Sequence, residues 1–390
     1  MNEAREGPRR LAVFGAYSDH DLYQRNRTLV QILDAFSEAT VYIRPQARAT
    51  GTGFSSNLSL FKRMRGMFSD ALSLWTQRAL LRDCDTVFVP YPAYFDLLVL
   101  WVAGYTSGKL VVADAFLELN STVVEDRKLI PPRSLRAWLL NAFQNFTLSR
   151  ADIVLIDTPE QASLLCQHLK GSPMKVADVP VGIDESLWTE VPFPALSERV
   201  QLLFWGTFIP LHGVEHIVAA ARILESRNVP ADLLLIGDGQ MASEVAEELK
   251  QAPVAHLRWK RELVDTQALR AAVTQAHVVL GVFGDSNKAG SVIPYKVHQG
   301  LAAGRPVITR SGPATERIAD ERRGVILCPP SDPLALASAI ETTVTRLRNG
   351  WSPTPRTVYE QSLGRSVLMR KLAASLGVDV PDLEEVGSQS

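Results

Sequence analysis

Short β-branched runs alternate with longer segments of helical apolar spacing, and this alternation occurs in two blocks along the 390-residue chain. Several runs are almost continuously apolar, which is typical of strands buried on both faces of a parallel sheet. The runs of the first block are Leu11–Gly15, Thr40–Ile43, Thr86–Val89, Lys109–Ala113 and Ile153–Ile156. Those of the second block are Gln201–Trp205, Asp232–Ile236, Ala255–Trp259, Val278–Val282, Pro306–Thr309 and Val325–Cys328. The pattern predicts an α/β protein with two Rossmann-like, doubly wound domains.

Turn residues and prolines mark the predicted domain boundaries. We expect an N-terminal Rossmann-like domain over 1–182, a linker over 183–199 and a C-terminal Rossmann-like domain over 200–350. A proline-marked helical segment, 351–376, is predicted to return to the N-terminal domain. The last segment, 377–390, has four acidic residues and no basic one, which predicts a disordered tail. Right-handed crossovers would direct the carboxyl ends of both sheets to a shared cleft, where such folds bind ligands.

Charge and cysteine content exclude several classes of protein. The chain has 41 basic and 42 acidic side chains, so it lacks the excess positive charge of a general nucleic-acid binder. Its three cysteines are far apart and show no Cys-x-x-Cys spacing, which argues against a disulfide framework or a zinc site. The segment Met1–Arg10 has no apolar signal core, and the most apolar stretch, Leu97–Ala103, is too short to span a bilayer. These features predict a cytoplasmic protein.

The first candidate ligand site is the loop from Phe204 to Gly213. A predicted strand ends at Gly206, and a predicted helix begins at about Gly213. The N-terminus of a helix offers unpaired N–H groups and a positive dipole end, which suit a phosphate. An ordinary strand-to-helix turn that needs two glycines explains the loop equally well.

The second candidate is the segment from Gly281 to Gln299, which leaves one predicted strand and enters a helix at Pro294. Lys288 falls in the predicted loop, and Lys296 falls in the first helical turn. Each cation opposes the helix dipole by about 0.3–1 kcal/mol unless an anion is present. We therefore predict an anionic ligand here, in preference to exposed lysines that tolerate this cost.

Three segments of the second half resemble one enzyme family. They are Gly206–Gly213, Leu235–Gly239 and Val292–Ile308, the last with its Ala-x-Gly-x-Pro-Val ending. With them, Val200–Leu347 resembles the donor-binding domain of the GT-B glycosyltransferases, in particular the retaining glycosyltransferase family four. The first half resembles the family more weakly, at Tyr23–Asn26 and Val181–Asp184.

The resemblance implies a GT-B enzyme that transfers a glycosyl unit, with retention, from a nucleotide-diphosphate sugar to an unidentified acceptor. It implies that the donor is a substrate and that no cofactor is permanently bound and no metal is needed. The residues expected around the donor phosphates are Gly206, Thr207, His212, Gly213, Lys288 and Lys296. Gln299 is expected at the ribose, Gly284 and Ser291 at the sugar, and Trp259 and Arg261 at the base.

The sequence departs from the family pattern at the signature helix. Ser291 and Gln299 occupy the places of two family glutamates, and Thr207 and His212 replace a diphosphate-binding Arg/Lys pair. Gln299 can still hydrogen-bond a ribose hydroxyl, whereas Ser291 cannot supply a carboxylate. Two alternatives to a transferase therefore stay open: a sugar-nucleotide epimerase of GT-B fold, and a non-catalytic partner protein that binds a nucleotide sugar.

Asp114 and Lys296 are the predicted catalytic residues. Asp114 follows the predicted strand Lys109–Ala113, near a family position that faces the donor sugar. It could orient an acceptor hydroxyl or act as a base, and a helix N-cap is an equally weighted alternative. The acceptor class stays open between a small molecule, a glycan and a lipid-linked molecule.

A basic amphipathic segment lies at 58–81. Its apolar stripe is formed by Phe61, Met64, Phe68, Leu72 and Trp75, with Lys62, Arg63 and Arg65 beside it. Such a helix could lie on the inner face of an anionic membrane, where a lipid-linked acceptor is found. Packing of the stripe on the N-terminal sheet is the preferred alternative.

Overall fold

A computed structural model describes residues 8–18, 24–45, 60–116, 118–127, 129–169, 174–262 and 264–380. For residues 60–65, 67–68 and 125–126 it describes the backbone only. Tyr23 and the segment 381–390 of the predicted acidic tail lie outside these ranges. The described residues form two compact units. The first draws on Met1–Asn120, Ile130–Gly182 and Leu368–Ser390, and the second on Ser121–Leu129 and Ile183–Val367.

Twelve strands and fourteen α-helices make up the regular structure of the described ranges. The strands are β1 (Arg10–Phe14), β2 (Ala39–Ile43), β3 (Thr86–Val89), β4 (Leu110–Asp114), β5 (Ile153–Ile156), β6 (Lys175–Asp178), β7 (Val200–Trp205), β8 (Ala231–Ile236), β9 (Leu257–Lys260), β10 (Val278–Leu280), β11 (Val307–Arg310) and β12 (Val325–Cys328). The helices are α1 (Gln24–Ala35), α2 (Leu60–Gln77), α3 (Ala93–Val102), α4 (Leu135–Leu148), α5 (Pro159–His168), α6 (Val214–Ser226), α7 (Ala242–Gln251), α8 (Thr266–Gln275), α9 (Asn287–Ser291), α10 (Tyr295–Ala302), α11 (Pro313–Glu316), α12 (Pro333–Arg348), α13 (Pro355–Ser362) and α14 (Arg365–Leu376). A π-helical turn spans Ser121–Asp126, and two 3-10 turns span Arg78–Leu81 and Pro210–His212.

The first unit contains a six-stranded parallel sheet in the order β2-β1-β3-β4-β5-β6. Alternate residues of β1 point to opposite faces: Ala12 and Phe14 join a core with α2, α3, α4 and α5, whereas Leu11 and Val13 join a core with α1 and α14. The sequence analysis missed β6. This strand pairs with β5 only, and just one of its four residues is buried, so it carries no apolar run.

The second unit contains a parallel sheet in the order β12-β11-β10-β7-β8-β9. Helices α6, α7 and α12 cover one face, and α8, α10 and α13 cover the other. The strand predicted at Ala255–Trp259 is shifted toward the C-terminus and runs from Leu257 to Lys260. Two doubly wound parallel sheets with interleaved helices confirm the predicted fold class.

The C-terminal helical segment contributes to both units. In the second unit, Arg356 of α13 donates to the carbonyl oxygen of Ala302 over 2.8 Å, and the Tyr359 hydroxyl donates to Glu185 over 2.9 Å. Further along the chain, Leu368 and Leu372 of α14 are fully buried in a core of the first unit.

The packing of α2 differs from the predicted stripe where its side chains are described. Leu74 is fully buried against the sheet, whereas Leu72, a member of the stripe, is 59% exposed. The side chains of Phe61, Met64 and Phe68 and of the three basic residues lie outside the description. No helix in the described ranges is long and apolar enough to cross a membrane.

Candidate functional site

The chain turns sharply after β7. Gly206 follows this strand with φ +150°, and the 3-10 turn Pro210–His212 leads to Gly213, which caps α6 with φ +61°. Backbone with such positive φ values favours glycine, because a Cβ atom would be strained there. The predicted strand–loop–helix at Phe204–Gly213 is present in this form.

Two cationic or potentially cationic side chains converge on Gly206 from different elements. A Cβ atom at Gly206 would lie 2.8 Å from His212 Cε1 and 3.2 Å from Lys296 Nζ. Lys296 comes from the first turn of α10, which Pro294 caps, and its Nζ lies 4.1 Å from the centroid of the Phe204 ring. The structure thus brings together three predicted phosphate-binding residues, Gly206, His212 and Lys296.

His212 and Lys296 are both buried beside Gly206, and each has a nitrogen with no hydrogen-bond partner in the described ranges. Within the described part of the chain, neither Lys296 Nζ nor His212 Nδ1 has a hydrogen-bond partner. Burial lowers the pKa of Lys296 well below its usual value. Burial and then the Lys296 charge lower the pKa of His212, although a backbone hydrogen bond with Thr207 opposes that shift. A bound anion would reverse both shifts, since an opposite charge favours the protonated forms.

The loop after β10 forms backbone hydrogen bonds with the turn Pro210–His212. The N–H of Phe283 donates to the carbonyl of His212 over 3.0 Å, and that of Gly284 donates to Leu211 over 3.2 Å. Arg310, at the end of β11, donates to the carbonyl oxygens of Gly284 at 2.7 Å and Ser286 at 3.1 Å. Sequence analysis missed Arg310. A signal was present, because this arginine ends a buried strand directly before the turn Ser311–Pro313.

The segment after this loop is helical rather than irregular, which corrects the prediction for Lys288. The Ser286 hydroxyl accepts the N–H of Ala289 over 3.1 Å and caps the short helix α9. Lys288 is only 4% exposed, and its ammonium group donates to the Thr122 hydroxyl. Lys296 is equally buried. The alternative of two solvent-exposed lysines is therefore wrong.

The other residues predicted to contact the donor are Trp259, Arg261, Thr207, Gln299 and Ser291. The Trp259 ring stacks on Phe208 with centroids 5.4 Å apart, and its Nε1 donates to the carbonyl of Gly237 over 2.9 Å. Arg261 Nε lies 3.3 Å from an Asp238 carboxylate oxygen at an exposed position. Thr207 is exposed, Gln299 is buried on α10, and Ser291 Oγ donates to carbonyl oxygens of its own helix. Their roles toward base, ribose and sugar stay predictions.

Asp114 has a partner that the sequence analysis did not consider. Its carboxylate receives Nε and Nη2 of Arg25 over 2.9–3.1 Å, and both residues are almost completely buried. Burial raises the pKa of Asp114, and the Arg25 guanidinium and the N–H of Phe116 oppose the rise. This buried ion pair links α1, which carries Arg25, to the end of β4, which carries Asp114, and therefore has a structural role. We therefore do not include Asp114 in the proposed catalytic machinery.

Gly206, His212 and Lys296 all lie within a segment that matches one protein-family model. Residues 199–346 match the family model described as glycosyl transferases group 1. This part of the chain is similar to the group 1 glycosyl transferases. The match includes Gly206, His212 and Lys296, and with the two doubly wound sheets it confirms the predicted resemblance to the GT-B glycosyltransferases.

Individual relatives and solved structures are similar to this chain. The probable glycosyltransferase WbjE of Pseudomonas aeruginosa is 29% identical over 177 residues, which is 44% of this chain and 42% of that protein. The match thus spans less than half of the curated relative. Sucrose-phosphate synthase from Thermosynechococcus elongatus is structurally similar with a TM-score of 0.66 and 15% identity, covering 95% of this chain and 96% of that one. HepE of Anabaena, in complex with UDP-glucose, has a TM-score of 0.63 and 13% identity, covering 95% and 99%. These two likenesses concern the fold.

Proposed function

We propose that this protein transfers a glycosyl unit from a nucleoside-diphosphate sugar to an acceptor hydroxyl with retention, and that the diphosphate binds at Gly206 between His212 and Lys296. The observation that carries the proposal is the buried Lys296 ammonium, which has no hydrogen-bond partner among the described residues and lies against a glycine turn. Burying such a group is costly unless a counter-charge joins it. A diphosphate supplies that charge.

The proposed chemistry needs charge stabilisation more than a protein nucleophile. The bond between C1 of the sugar and the β-phosphate oxygen breaks, and a bond between C1 and the acceptor oxygen forms. The acceptor proton goes to the departing phosphate. Lys296 and protonated His212 would offset the negative charge that develops on this leaving group, where fixed cations in a buried site are most effective. No step requires a metal ion.

The ligands bound in similar structures suggest which donor to test first. HepE was determined with UDP-glucose, and the pneumococcal O-GlcNAc transferase GtfA was determined with UDP and GlcNAc. We propose a UDP-sugar donor, with Thr207, Gly213, Gly284 and Lys288 near the phosphates and sugar, Gln299 at the ribose, and Trp259 and Arg261 at the base. The acceptor is a small molecule, a glycan or a lipid-linked molecule, and the location is cytoplasmic.

Titration calorimetry tests the proposal on the intact protein. UDP should bind, uridine should bind far more weakly, and chelator should leave UDP binding unchanged, because the contacts come from protein cations. UDP-sugars should be turned over in the presence of an acceptor extract, with free UDP as product. Equal binding of UDP and uridine, or no UDP binding at all, would contradict the diphosphate site.

A non-catalytic nucleotide-sugar-binding protein is the second candidate. Ser291 favours it, since its hydroxyl donates to the carbonyl oxygens of Asn287 and Lys288 and no carboxylate stands at this position. UDP binding without slow hydrolysis of any donor and without transfer would support it. An epimerase would instead convert the donor sugar without an acceptor, which product analysis distinguishes.

Nucleotide affinity should rise as the pH falls from 9 to 7. The pKa of Lys296 is lowered by burial in the free protein, and a bound diphosphate raises it, so binding is coupled to proton uptake. The second pKa of a terminal phosphate is about 6, so the charge of UDP changes little in this window. Calorimetry in buffers of different ionisation enthalpy measures the proton uptake. Affinity that is constant over this range, with no proton exchange, would contradict an anion at Lys296.

A further inference from the structure

The outer face of α4 in the first unit is apolar and exposed. Leu135, Trp138 and Leu139 are 71%, 64% and 52% exposed, and their i, i+3, i+4 spacing places them on one side of the helix. The opposite side is buried through Gln144 and Leu148. Because the helix already has its core-facing side, this second apolar side is not needed for packing within the unit.

The exposed face continues onto the end of α3. The rings of Trp101 and Phe146 meet edge to face with centroids 5.3 Å apart, and both side chains are about 40% exposed. Arg150 lies over both rings, 4.8 Å from the centroid of Trp101 and 4.4 Å from that of Phe146. We call the following set the α4 patch: Trp101, Val102, Leu135, Trp138, Leu139 and Phe146.

The charged residues of α4 and its two flanks have one sign. Segment 130–150 contains three arginines, Arg133, Arg136 and Arg150, and no aspartate or glutamate. Arg133 and Arg136 are exposed, and none of the three forms an ion pair with a residue that the structure describes. An apolar face bordered by arginines that form no ion pair with the described residues would suit a partner that offers both an apolar interior and negative charge.

We propose that the α4 patch docks on the surface of a bilayer that contains anionic lipid. Tryptophan and arginine are the side chains favoured at such an interface, since the ring enters the headgroup region and the guanidinium binds lipid phosphate. A second copy of this chain fits less well. A two-fold interface through the patch would bring the arginines of both copies together without an acidic residue from 130–150 to pair with them.

Vesicle sedimentation with the full chain tests the proposal. Vesicles of phosphatidylglycerol and phosphatidylcholine should bind the protein at low salt, and vesicles of phosphatidylcholine alone should bind it much less. The Arg133→Glu/Arg136→Glu variant should lose at least about thirtyfold in apparent affinity, since each arginine near an anionic surface contributes about fivefold. The Trp138→Ala/Leu139→Ala variant should lose about tenfold or more.

Matched control variants distinguish an effect of the α4 patch from a general effect of protein charge or of exposed leucines. Arg258→Glu/Arg322→Glu makes the same charge change at exposed positions of the second unit, and Leu196→Ala/Leu334→Ala removes exposed leucines there. Both controls should bind vesicles like the parent. The proposal is overturned if the parent ignores anionic vesicles, or if the patch variants bind as well as the controls. It is also overturned if the parent sediments as a dimer that Trp138→Ala/Leu139→Ala dissociates while vesicle binding is absent.

Discussion

Replacing Lys296 by methionine should weaken UDP binding roughly ten- to hundredfold and, at the same time, stabilise the unliganded protein. The affinity falls because a charge-assisted contact with phosphate contributes about 1.5–3 kcal/mol. The free energy of unfolding should rise by roughly 1–3 kcal/mol, because the buried ammonium has no hydrogen-bond partner among the described residues and methionine keeps its apolar stem. Calorimetry and denaturant unfolding measure the two effects separately.

Two other lysines make the comparison specific. Lys260 is exposed at the end of β9, so Lys260→Met should change neither quantity by much. Lys288→Ala should weaken UDP binding but should not stabilise the protein, because the Lys288 ammonium already donates to Thr122. An unchanged UDP affinity in Lys296→Met would remove the phosphate from this site. A large loss of stability in that variant would show instead that the ammonium is satisfied in the unliganded protein.

Replacing Asp114 by asparagine should lower the free energy of unfolding by about 3–5 kcal/mol. The change leaves the guanidinium of Arg25 buried without its carboxylate, which is the costly way to break a buried ion pair. The carbonyl oxygens of Val179 and Pro180 still accept from Arg25 Nη1, but they carry no compensating charge. Denaturant unfolding followed by circular dichroism measures the loss.

A double replacement and an exposed pair serve as controls. Arg25→Met/Asp114→Leu removes both charges and should recover much of the stability lost in Asp114→Asn. Glu341→Gln in the exposed pair with Arg227 should cost at most about 1 kcal/mol. If Asp114→Asn instead abolishes turnover while the unfolding free energy stays at the parent value, Asp114 is a catalytic residue and the structural role inferred here is wrong.

Local patterns in the sequence determined the fold class and the location of the candidate site. Buried parallel strands are short and apolar, so the sequence pattern predicts eleven of the twelve strands in the described ranges, and of these twelve it misses the edge strand β6. Pro294 and Gly213 mark where two helices begin, which placed Lys296 in a first turn and His212 just before one. These are interactions between near neighbours, and a sequence pattern records them directly.

Contacts between distant segments decided what the site residues can do. The sequence placed Lys288 and Lys296 near a helix start. Their burial and the bond from Lys288 to Thr122 depend on chain segments far away, as does the absence of a hydrogen-bond partner for Lys296 among the described residues. Arg25 reaches Asp114 across 89 positions, and Arg310 secures a loop 24 and 26 residues before it. No local periodicity encodes such pairings, because they arise only when the sheets form and bring the carboxyl ends of their strands together. The sequence therefore determined which residue types are available at the candidate site, and the tertiary structure decided which of them already have a hydrogen-bond partner among the described residues.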